Sequence, residues 1–194
     1  MPGEPRTGRP HGEAAGPGHH EHPPRTTYVD ATLFLGMNSA DEATRIACKS
    51  FFATRLHGRV VMSWEQVGRC DDLVWRFPRD LQDAYYPFMD HLHTDMRIDR
   101  LGYTREDIEA GLGADATAGL PVHERLLAGM VLRRDGVLCT VSPGLRACRA
   151  LAVHPPEAGP EVPFPEGLEK LYRASLALRI PRGLLWEEDG CSTE

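Results

Sequence analysis

Short apolar runs alternate along this chain with stretches of helical period, and that alternation is the strongest constraint on its fold. Residues 26–35 (TTYVDATLFL), 59–62 (RVVM), 97–103 (RIDRLGY), 136–141 (GVLCTV) and 150–153 (ALAV) read as strands. Between them lie helical segments with recognisable start signals. Ser39 begins one that runs to about Leu56, and Ser63 with Gln66 three residues later has capping-box spacing. A helix over 79–94 follows, which Pro87 kinks or splits. Thr104 with Asp107, Pro121 at a first helical position, and Ser142-Pro143 open three more. Strands separated by helices predict an α/β domain. Its central parallel sheet has about four to five strands, flanked by helices on both faces and joined by right-handed crossovers.

The chain has 194 residues, enough for one such core with length left for tails. Residues 1–25 are rich in Pro, Gly and His and carry no apolar period, so they read as a disordered tail. His11, His19, His20 and His22 there are read as low complexity rather than as a transition-metal site. The α/β domain spans 26–154. Residues 155–194 form a Pro-rich linker and an amphipathic helix near 166–180, whose Leu168, Leu171, Tyr172, Leu176 and Leu178 pack on the domain or on a partner. The net charge of −6 argues against a module that lives by phosphate contacts. Five cysteines without CxxC spacing, no apolar signal core and no run of membrane-spanning length point to a cytoplasmic protein without a membrane role. Cys70 and Cys139 read as small buried apolar residues, and Trp75, Tyr85 and Tyr86 as core. His91 and His93, two apart, share no helical face and read as non-ligands.

The candidate chemistry lies in carboxylates. Asp30 interrupts an apolar run, where a charge must be solvated, paired or bound to a cation. Ligands of open parallel sheets bind beyond the carboxyl ends of the strands. Asp30, Glu65 and Glu124 all fall near such ends and can converge on one rim. Two carboxylates about 4 Å apart repel by roughly 4 kcal/mol at an effective dielectric near 20, so convergence calls for a hard cation such as Mg2+ or Mn2+. Metal-activated water is the usual nucleophile in phosphodiester hydrolysis. Plainer readings stand beside this one. Asp30 also suits a turn cap or an Arg partner, Glu65 suits the helix dipole, and Asp71-Asp72 suits a solvated helix face.

Three segments, YVDATLFLG, VVMSWEQVGR and HERLLAGMVLRRDGVLCTVSPGLR, make residues 26–154 resemble the PIN-like family, as a divergent branch. The resemblance implies a compact α/β fold and a Mg2+- or Mn2+-dependent ribonuclease, toxin-like in character. Its first metal ligand would be Asp30, with Glu65 as the helix glutamate and Glu124 as the late acid before the small pair Ala128-Gly129. Thr32 and Ser142 would orient water or the phosphate, and Asp72 or Asp95 would complete the metal set. RNA is the implied substrate, with an antitoxin-like protein partner or a homodimer as the implied assembly. The chain departs from the family pattern after the fourth strand, where Thr140-Val141-Ser142-Pro143 has no carboxylate. It departs again in residues 66–100, a segment rich in acids and aromatics. These departures support the alternative, a catalytically degenerate PIN-like domain acting as a binding or regulatory protein.

Overall fold

A computed structural model of the chain describes residues 25–186. The His-rich tail and the last residues, 187–194, lie outside the described residues. Four strands, β1 (Thr27–Val29), β2 (Arg59–Ser63), β3 (Arg97–Leu101) and β4 (Val137–Cys139), pair in parallel in the order β3-β2-β1-β4. The fold is α/β, as the alternation requires. Period-two alternation sends neighbouring strand residues to opposite faces. Val29, Val60, Met62, Ile98 and Cys139 enter one core cluster, while Tyr28, Val61 and Leu138 enter a second. The first cluster is covered by α1 (Ala31–Gly36), α2 (Glu42–Thr54), α3 (Trp64–Trp75), α4 (Arg79–Asp95) and α8 (Glu166–Ser175). The second is covered by α6 (Val122–Arg133) and α7 (Pro143–Ala147). The remaining helices are α5 (Arg105–Gly113), packed on α6, and α9 (Arg182–Leu185).

The first apolar run is not one strand. β1 stops at Val29, and Asp30 caps a helix by accepting the Leu33 N–H at 3.0 Å. A helix buried on every side is apolar on every side, so its residues carry no period that separates it from a buried strand. The start of α2 also differs from expectation. Asp41 is its cap, and Ser39 instead accepts the Asp41 N–H while its main chain bridges to Ile180. Pro87 neither breaks nor splits α4, which runs 17 residues through it. The fifth strand reduces to an isolated bridge between Leu138 and Val153.

Residues beyond 154 are part of the same core. Phe164, Leu168, Tyr172, Leu178, Ile180 and Leu185 join the first cluster. Phe88 of α4 packs against the rings of Phe164 and Tyr172 at centroid distances of 5.6 and 5.2 Å. Cys70 and Cys139 are buried. Tyr85 is core, but Trp75 is 66 % exposed at the end of α3. No helix among the described residues is long and apolar enough to cross a membrane.

Candidate functional site

The chain runs from β1 through β2 to β3 on one side, then returns to place β4 on the other side of β1. That reversal puts the topological switch point between the carboxyl ends of β1 and β4, the usual ligand position in open α/β sheets. The residues following those ends are Asp30 and Thr140. They meet: Thr140 Oγ1 donates to Asp30 Oδ2 at 2.6 Å. Thr32 Oγ1 donates to both Asp30 oxygens at 3.0 and 2.9 Å, and the Leu33 N–H completes the shell. Asp30 is 1 % exposed. Burial pushes its carboxyl up to about 6, and the hydrogen bonds from Thr140, Thr32 and Leu33 oppose that shift. Glu124 nearby adds to the rise.

Glu124 reaches the site from the first turn of α6. Ser142, the cap of α7, accepts the Leu145 N–H and donates to Glu124 Oε1 at 2.5 Å. The same Ser142 gives its backbone N–H to Thr140 Oγ1, which links the two carboxylates through a chain of hydroxyls. Gly144 makes room for this arrangement, since a Cβ there would lie 2.7 Å from Glu124 Oε2. Asp30, Thr32, Glu124 and Ser142 thus line one cleft of about 330 Å³. Gln66, Arg69, Asp72 and His123 share its polar lining, and Leu35, Leu184, Leu185 and Trp186 supply an apolar wall.

Glu65 does not join them. Ser63 caps α3 through the Gln66 N–H, as the spacing predicts, but the Gln66 side chain does not return to close the box. Its Oε1 accepts the Ala31 N–H at 2.8 Å, satisfying an otherwise orphaned amide at the start of α1. Its Nε2 holds Glu65 Oε2 at 2.8 Å. Glu65 also receives the Tyr103 hydroxyl at 3.2 Å and pairs with Arg69 at 3.8 Å, outside the cleft lining. The residue beside Asp30 on α3 is therefore a neutral amide, one position along from the expected acid. Asp72 sits on the cleft margin, 66 % exposed at its side chain and paired with Arg76. Asp95 ends α4 just before β3 begins, so it lies at the amino edge of the sheet, opposite the cleft.

Of the acids expected to hold a metal, Asp30, Glu124 and Asp72 line the cleft. Among the described residues no three His, Cys, Asp or Glu side chains are grouped to hold an ion. Both Asp30 oxygens accept protein hydrogen bonds, and from the first turn of α3 it is Gln66 rather than Glu65 that lines the cleft. Sequence reasoning missed Thr140, Gln66 and His123, while Arg69, one of the arginines expected to steer a substrate backbone, does line the cleft. Gln66 had a signal, because a residue three after the cap turns back toward the helix start and whatever packs there. Thr140 had none, since its contact joins residues 110 apart.

No curated protein matches the chain. A family model described as a family of unknown function, DUF6190, matches residues 21–185, and the chain belongs to that family.

Proposed function

We propose that the chain is a PIN-like domain acting as a binding or regulatory protein through the cleft at the switch point. The observation that carries this reading is the enclosure of Asp30, with Gln66 rather than an acid lining the cleft from the first turn of α3. The carboxylate is enclosed by hydroxyls and a backbone amide, and the α3 side chain beside it cannot supply a charged oxygen. The cleft joins a hydrogen-bonding side, with Gln66, Ser142, Arg69 and His123, to an apolar side with Leu184 and Trp186. That lining suits a peptide segment of a partner protein better than a phosphate backbone, which a chain of net charge −6 repels.

The metal-dependent ribonuclease reading keeps one observation in its favour. Asp30 and Glu124 share the cleft with Thr32 and Ser142. Calorimetric titration with Mn2+ to millimolar concentration, alongside incubation with single-stranded RNA, separates the two. The binding-protein reading expects no saturable heat and intact RNA. Stoichiometric Mn2+ binding with RNA cleavage, both lost in Asp30→Asn, would overturn it in favour of the nuclease.

A further inference from the structure

On the other side of α3 from the cleft lies a second cavity of about 260 Å³. Tyr85, Met89 and His93 present one stripe of α4 to it at four-residue spacing, and Phe34, Met62 and Cys70 close it from α1, β2 and α3. Its walls are mainly apolar, yet two polar atoms within them are unanswered. His93 Nε2 and the Tyr85 hydroxyl are both buried without a hydrogen-bond partner among the described residues. Tyr85 itself is 2 % exposed. Buried polar groups are nearly always satisfied, by protein, water or ligand.

The tautomer of His93 follows from its other nitrogen. Arg100 Nη2 lies 3.0 Å from His93 Nδ1, and a guanidinium can only donate. Nδ1 is therefore the acceptor, and the ring proton sits on Nε2. Burial and the Arg100 charge push the imidazole down to about 4, in keeping with a neutral ring. The ring stands edge-on to Phe34, with centroids 5.7 Å apart. The cavity thus offers one fixed donor at His93. A hydroxyl of either sense stands two helical turns away at Tyr85, and aromatic and thioether surface lies between. A cavity of about 150 Å³ already accepts benzene, so this one has room for a fused bicyclic ring.

We propose that this cavity binds a small neutral aromatic molecule whose hydrogen-bond acceptor faces His93 Nε2–H and whose opposite polar end meets the Tyr85 hydroxyl. Aromatic surface matches Phe34, Met62 and Met89. The charged groups that also line the cavity are engaged or exposed: Asp71 accepts the Tyr86 hydroxyl, Arg100 donates to His93, and Asp90 is exposed to solvent, so the interior itself favours a neutral ligand. The site is separate from the switch-point cleft and does not depend on its function.

The test uses the full chain and two probes of equal size. One is a hydroxyquinoline with its nitrogen and hydroxyl at opposite ends; the other is naphthalene, which has neither. Binding is followed by amide chemical shifts at neutral pH. The expected result is shifts at Phe34, Cys70 and Met89, with the hydroxyquinoline at least about fivefold tighter than naphthalene, the factor one net hydrogen bond supplies. Tyr85→Phe keeps the ring and removes only the hydroxyl, so it should fold and lose most of that preference. His93→Met should lose it as well, while naphthalene binding stays unchanged in both variants. The proposal is overturned if neither probe shifts these residues, which would leave ordered water as the occupant. It is equally overturned if the two probes bind alike to wild type, or if the preference survives both substitutions.

Discussion

Asp30 holds its proton longer in the folded chain than in the unfolded one, because burial raises its carboxyl from the ordinary 3.8 to about 6. Between those two pH values the folded state binds more protons, so stability falls as pH rises through the window. The contribution is fully present below pH 3.8 and lost above about pH 6, a span worth up to about 3 kcal/mol. Asp30→Asn removes the titration while keeping a side chain that caps helices equally well. Urea unfolding is expected to find the variant within about 1 kcal/mol of wild type at pH 4 and about 2 kcal/mol more stable at pH 7. Carboxylates remote from Asp30 cancel in the difference, and Glu124, which raises the Asp30 carboxyl, is the neighbour whose coupling is removed with it. A variant less stable than wild type at pH 7 would mean the ionised carboxylate is a net benefit to the fold. The oddity of this residue is plain in the sequence, where an acid stands inside YVDATLFL. Its partners are not, because Thr140 arrives from β4 only once the sheet has assembled.

Helices announce themselves through their caps, and the caps at Ser63, Thr104 and Ser142 form as their spacing predicts, Thr104 and Asp107 making a complete capping box. What local sequence does not show is how closely two helices approach. α5 and α6 cross at Gly111 and Gly129, where a Cβ on Gly129 would fall well inside van der Waals contact of the Asp107 carbonyl oxygen and of Gly111. A Cβ on Gly111 would strike the Arg125 carbonyl in turn. The obstacles are backbone atoms, which cannot rotate away, and Arg134 ties the same crossing through an ion pair to Asp107 at 2.5 Å. Gly129→Ala must therefore separate the helices, at a cost of about 3 kcal/mol in urea unfolding. Gly68 is the opposite case. It lies within α3 with nothing within 4 Å of a added Cβ, so its glycine only weakens the helix. Gly68→Ala is expected to stabilise by about 1 kcal/mol in the same measurement. The small residue after Ala128 was visible in the sequence; the reason for it, a backbone-on-backbone crossing, needed the fold.

At the level of the whole molecule, the sequence suggests a domain ending near residue 154 with a linker and helix appended, because residues 155–165 are rich in Pro and break every period. The physical coupling runs the other way. Lys49, in the middle of α2, is 0 % exposed, and its ammonium is held by Glu161 at 2.6 Å and Glu169 at 2.8 Å, with the Tyr172 ring 4.8 Å away. Arg45 hydrogen-bonds both Glu161 and the Tyr172 hydroxyl, and together with Lys49 it holds the Glu161 carboxyl down at about 2. Lys49 therefore depends for its counterions on residues beyond 154, and Arg45 divides its guanidinium between Glu161 and Glu42 of its own helix. The main chain is joined too: Asn38 Nδ2 donates to the Ser175 and Leu178 carbonyls, and the Ile180 N–H returns to the Asn38 carbonyl. A fragment ending at 154 would expose the apolar surface under Phe164, Leu168 and Tyr172 and leave Lys49 buried among apolar groups without an anion, a loss of several kcal/mol against a total stability of about 5–15 kcal/mol. Residues 25–154 expressed alone are expected to bind a hydrophobic dye and to melt without a cooperative transition, while residues 25–186 melt cooperatively in the same buffer. A sharp thermal transition from the shorter fragment would show that the sheet and its first helices form a unit without the C-terminal segment, and that Lys49 finds water instead of glutamate.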